Sequence, residues 1–120
     1  MLDREKKKAL RRLLRALIDQ NHAQLVVPAY AQKPGYWFGG GNLLLDETGV
    51  IWISGRNRNS GDSRTGLTAG ERGLECALFR SHDVGQSFHK VLSWSKTDLS
   101  RNGKRVISIE GTALHRLPNG

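Results

Sequence analysis

Residues 55–73 concentrate the side chains best suited to chemistry. Arg56, Arg58, Asp62, Arg64, Glu71 and Arg72 stand there among Asn, Ser and Gly. A carboxyl group whose pKa is raised in a pocket can hand a proton to a leaving oxygen. A guanidinium offers a planar fork that holds a carboxylate through two hydrogen bonds, which suits a sugar acid. Solvated loop charge is the plain alternative for each residue. Loops longer than ~12–15 residues in a compact domain are usually functional or disordered, which makes this stretch the first place to look. Other chemistries find less support. Cys76 is the single cysteine and the four His are scattered, so no zinc-type ligand set forms. No phosphate-binding Gly loop or Ser/His/Asp signature stands out. No metal and no cofactor is therefore expected.

The elements around the loop read as strands. Residues 42–45 and 50–54 flank Asp46, Glu47, Thr48 and Gly49, whose Asp and closing Gly mark a hairpin turn. Val50, Ile51, Trp52 and Ile53 make a nearly continuous apolar run, as in a strand covered on both faces. Residues 74–80 and 87–92 predict a second hairpin. Between them lie Ser81, Asp83, Gly85, Ser87 and Phe88. Asp83 can accept hydrogen bonds from the backbone of its own turn, Gly85 can take positive φ, and Ser81 and Ser87 can tie the edges. Phe88 is expected to fold inward as a plug. In a four-strand meander, alternate turns share an end of the sheet. The turns at 46–49 and 81–87 therefore lie at one end, and residues 55–73 and the connection 93–105 lie at the other.

The spacing Ser81-x-Asp83-x-Gly85-x-Ser87-Phe88 resembles the Asp-box of sialidases and related β-propellers, a motif that usually ends in Trp. Residues 42–88 also resemble the first blade of a sialidase. Gly49, Val50, Ile51, Trp52, Ile53, Ser54, Gly55 and Arg56 match that family's G-x-L-L-A-x-x-E-G-R strand pair, and Asp62 and the Asp-box follow. The resemblance implies an all-β, sialidase-like propeller of about six blades when complete. This chain would hold the first blade and the start of the second. It also implies that Asp62 is the general acid/base and that Arg56 holds the sugar, with Arg58, Arg64 and Glu110 as further substrate contacts. In this family a Tyr replaces the usual carboxylate nucleophile. The family's Arg-Ile-Pro motif has no counterpart here, since Tyr36, Trp37, Phe38 and Gly39 occupy the comparable place. The expected function is part of a sialidase-like exo-glycosidase acting on a terminal sugar of unspecified identity. A non-catalytic Asp-box propeller that binds carbohydrate or protein is the alternative.

Four segments follow from this reading: a basic amphipathic helix at 1–20, a linker and entry segment at 21–41, a blade at 42–94, and a connection with the start of a second blade at 95–120. Residues 36–38 are expected to pack in the core, and Cys76 to behave as a small buried hydrophobe. The runs at 106–109 and 112–117 predict strands, and Pro118, Asn119 and Gly120 a hairpin turn. Ending on a turn leaves an unpaired edge, so the chain is expected to be a fragment, inactive alone.

The net charge of +8 invites a nucleic-acid reading. Half of it sits in residues 1–20, where seven Lys/Arg face three Asp/Glu. There Leu10, Leu13, Leu14 and Leu17 recur at helical spacing, and Ile18 widens the stripe. The expectation is a surface helix docking its Leu stripe on the domain, with its Lys and Arg solvated. Binding to a membrane surface or nucleic acid through this helix is the rival. The partner expected is a glycan and not nucleic acid. No stretch approaches the ~20 apolar residues of a membrane span. No secretory signal is recognisable, which leaves the cytoplasm as the default compartment.

Overall fold

The computed structural model describes residues 2–60 and 73–117. A helix α1 (Arg4–Leu17) and one helical turn (Gln20–His22) precede five strands, β1 (Trp37–Gly39), β2 (Leu43–Leu45), β3 (Ile51–Arg58), β4 (Glu75–Ser81) and β5 (His89–Ser95), and a short helix α2 (Lys96–Leu99). The strands form one antiparallel sheet in the order β1-β3-β4-β5, with β2 also pairing β3. No helix among the described residues is long and apolar enough to cross a membrane.

Strands β1 and β2 are two halves of one edge. Gly39 pairs with Arg56 and Leu43 with Ile53, so residues 40–42 stand opposite only Ser54 and Gly55. This is a bulge, with one extra residue on the outer strand. Because β1 and β4 flank its far half, β3 runs on to Arg58. Arg56 and Arg58 are therefore strand residues, whereas the sequence suggested a loop from residue 55. Residues 21–41, expected as a linker and entry segment into the sheet, hold strand β1 at their end.

Opposed residues in the register share a face. Phe38, Ile53, Ala77 and Phe79 form one face with Val27 and Phe88, and the rings of Phe38 and Phe79 meet edge-on at 5.1 Å. The segment carrying Val27 and Tyr30 lies over this face. Glu75 accepts hydrogen bonds there from Tyr30, Lys90 and Asn57. Burial alone would raise the Glu75 pKa, but the Lys90 and Tyr30 hydrogen bonds outweigh it and hold the carboxyl below its usual range. The same contacts outweigh burial at Lys90 and raise its pKa. Cys76 is half-buried rather than enclosed.

Residues 105–117 cross the opposite face without forming strands, contrary to expectation. The bulge gives the physical reason. Gly40 O accepts from Thr112 N (3.1 Å), while the Asn42 side chain accepts from Leu114 N (2.7 Å) and donates to Leu114 O (2.9 Å). A side-chain amide thus takes the place of a ladder. Helix α1 also departs from expectation, for none of its residues is buried. Both faces of the sheet are already partly covered by residues 23–36 and 105–117, and the Leu stripe stays exposed.

Both turns at the 46–49 end cap themselves. Asp46 Oδ1 accepts from Thr48 N, Thr48 Oγ1 and Val50 N, and its Oδ2 from Trp52 Nε1. Asp83 accepts from Ser81 Oγ (2.6 Å), Ser87 N (2.9 Å) and Ser87 Oγ (2.5 Å), and Ser81 Oγ accepts from Gly85 N (2.8 Å). Val84 and Gly85 both have positive φ, the pattern of a tight hairpin turn, and Phe88 packs on the core as expected. The Ser81 and Ser87 hydroxyls and the Ser87 amide hold the Asp83 carboxyl well below the usual carboxylate range. A depressed native pKa stabilises the fold fully above the unfolded value, and that contribution fades as pH falls toward the native one. Thermal melts should therefore show the melting temperature dropping from about pH 4 downward, with a shallower acid slope in Asp83→Asn. Equal slopes in the two proteins would refute the assignment.

Candidate functional site

The far end of β3 gathers the charged candidates. Period-two alternation puts Arg56 and Arg58 on one face, and Trp37 on β1 pairs with Arg58. The Trp37 ring lies under both guanidinium groups, with its centroid 5.3 Å from Arg56 Cζ and 5.6 Å from Arg58 Cζ. Gly39 makes this possible, because a Cβ there would sit 2.7 Å from the indole. Arg56 is only 7% exposed. Its Nη1 donates to Ile109 O (2.8 Å) and to Glu110 Oε2 (2.6 Å), and Ser108 Oγ donates to the other Glu110 oxygen. Gly73, at φ +65°, lets the backbone of Ile109 pass where a Cβ would approach its N and O at 2.7 Å. Glu110 thus serves Arg56 across more than fifty residues of sequence.

Polar atoms crowd this end. Among the described residues, the Nε atoms of Arg56 and Arg58, Oδ1 of Asn57 and Asn59, and Oγ1 of Thr112 are buried without a hydrogen-bond partner. Buried polar atoms are normally paired, so four consecutive residues with one unsatisfied atom each mark a special place. Trp37 is 36% exposed beside these two cations.

Of the site residues expected from sequence, Arg56, Arg58 and Glu110 come together. Asp62 and Arg64 lie outside the described residues. Ser81, Asp83, Gly85, Ser87 and Phe88 sit at the opposite end, as strand parity required. Trp37 is a correction, since alternation sends Phe38 into the core and Trp37 onto the other face. Asn57 and Asn59 were not singled out at all. Their alternation with Arg56 and Arg58 was the available signal.

No family model matches the chain, and no solved structure matches it. One curated protein, the acetyl-coenzyme A synthetase of Phycomyces blakesleeanus, is 31% identical over 85 residues. The alignment takes in 61% of this chain but 13% of that protein's length.

Proposed function

We propose that the chain is part of a sialidase-like exo-glycosidase, its sheet a blade of a β-propeller, and that the far end of β3 holds the sugar. The observation that carries this reading is the Arg56–Trp37–Arg58 stack at the end remote from the self-capped turns. Arg56 is fixed by Glu110 and the Ile109 carbonyl. Arg58 then supplies a second cation to an acidic or hydroxyl-rich ligand, and the indole packs against apolar C–H faces of the ring. In this scheme Asp62 is the acid/base, and Arg64 is a further contact. A second reading, a non-catalytic propeller that binds carbohydrate, draws on the same stack, because its residues stand on strands and form a platform without Asp62.

The test is to titrate the protein with terminal sugars, with and without a carboxylate, while following the Trp37 indole N–H by NMR. The resonance should shift with glycans. Trp37→Ala should weaken binding about tenfold and Trp37→Phe far less, since Phe keeps an aromatic ring for the sugar while Ala removes it and unstacks Arg56 and Arg58, whose cation–π contacts are worth about 0.5–2 kcal/mol each. An indole that ignores every glycan, or that responds only to coenzyme A, would overturn the proposal. Glycan binding without turnover in the full-length protein would favour the non-catalytic reading.

A further inference from the structure

We propose that α1 is a docking helix for anionic lipid surfaces, an inference independent of the sugar-binding reading. The helix is well formed on its own terms. Asp3 caps it by accepting from Lys6 N at 2.8 Å, and Glu5 lies in its first turn. Its two long faces differ sharply. Leu10, Leu13, Leu14 and Leu17 make one stripe and are 44%, 56%, 52% and 71% exposed. Ile18, just past the last turn, extends it. Arg4, Lys8, Arg11 and Arg15 recur at i, i+4, i+7 and i+11, which places them on one ridge away from the Leu stripe. Lys6 and Lys7 fall on the Leu side by spacing, four and three residues before Leu10, and Lys6 pairs with Asp3 at 3.4 Å.

Charge selects the occupant. The helix carries seven Lys/Arg against one acidic residue, Glu5. A second copy of the same helix would bring two such charge sets together, which opposes self-association. A nucleic acid would satisfy the cations but leave the Leu stripe in water. Residues 23–36 and 105–117 already cover part of each side of the sheet, and no residue of the helix is buried against what remains. An anionic bilayer satisfies both features. Leu side chains enter the acyl boundary, and long basic side chains reach back to the headgroups. A basic polar face, an aliphatic apolar face and low mean hydropathy are the attributes of a helix that lies in the interface rather than spanning it.

The experiment is co-sedimentation of the full chain with phosphatidylcholine vesicles, with and without phosphatidylserine, in rising salt. Binding should require phosphatidylserine and weaken as salt screens the charges. Each Leu kept out of the bilayer should cost about tenfold or more, so Leu14→Asp with Leu17→Asp should abolish sedimentation. Neutralising Arg11 and Arg15 should cost roughly fivefold each. Neither pair should move the melting temperature of the sheet, because none of these residues is buried. Equal binding to neutral vesicles, or no binding to either kind, would overturn the proposal. So would retention on DNA that survives the Leu changes, or a Leu-dependent dimer that ignores vesicles.

Discussion

Gly41→Ala should lower the melting temperature by roughly 10 °C, the equivalent of about 2–3 kcal/mol of overpacking in a domain of this size. A Cβ on Gly41 would stand 2.0 Å from the carbonyl oxygen of Ser54 and 2.5 Å from its carbonyl carbon. Neither is the end of a flexible side chain, so the backbone of β3 or of the bulge must move. That movement cannot stay local. Ser54 N donates to Asn42 O at 3.0 Å, and Ser54 Oγ donates to Asn42 Oδ1 at 3.0 Å. The Asn42 side chain in turn holds Leu114, so displacing the bulge loosens the segment that brings Glu110 to Arg56. Gly49→Ala is the control. Nothing lies within 4 Å of its added Cβ, and only its φ of +82° is unfavourable, worth about 1–2 kcal/mol. Gly41→Ala should therefore be the more damaging and, on the proposed sugar-binding reading, should also weaken glycan binding, whereas Gly49→Ala should spare it. An unchanged melting temperature in Gly41→Ala would show that the bulge has slack.

How much of this was legible in the sequence depended on the range of the interaction. The turn at Asp83 was readable because each of its partners lies within four residues. The Asp46 turn was readable for a similar reason, since its backbone donors lie within four residues and Trp52 six away, and strand parity then placed both turns away from the charged loop. The stack at β3 was only half readable. Arg56 and Arg58 stood out as charges. Their partner Trp37, however, is set by a register between residues about twenty positions apart, and a one-residue slip would have exchanged it with Phe38. Residues 106–117 show the converse failure. Their composition suits a strand, but a strand needs a neighbour with an open edge, and here the neighbour is a bulge whose Asn42 bonds in place of a ladder. Helix α1 was correctly read as a helix. Where its Leu stripe goes is a matter of which surfaces remain uncovered, and local spacing carries no information about that.

If the chain belongs to a glycosidase as proposed, Asp62→Asn in that enzyme should reduce hydrolysis of natural glycosides by at least about 10²-fold while leaving the melting temperature unchanged. Four carboxylates among the described residues already have other work. Asp46 and Asp83 are spent on capping their own turns. Glu75 is held below its usual range by Lys90 and Tyr30, and Glu110 takes its hydrogen bonds from Arg56 and Ser108. Each of these is a poor proton donor at neutral pH or is engaged in positioning a neighbour. Asp62 follows Arg58 by four residues of chain, a span of at most about 14 Å, which is compatible with the proposed role. Asn preserves the shape of Asp but has no proton to give. Activated aryl glycosides, whose leaving group departs without protonation, should therefore be spared much of the loss, and that contrast separates acid catalysis from a binding defect. Asp83→Asn, at the opposite end of the sheet, should retain turnover. Near-wild-type hydrolysis of natural glycosides by Asp62→Asn would remove the acid/base assignment and leave the Arg56–Trp37–Arg58 stack as a binding platform.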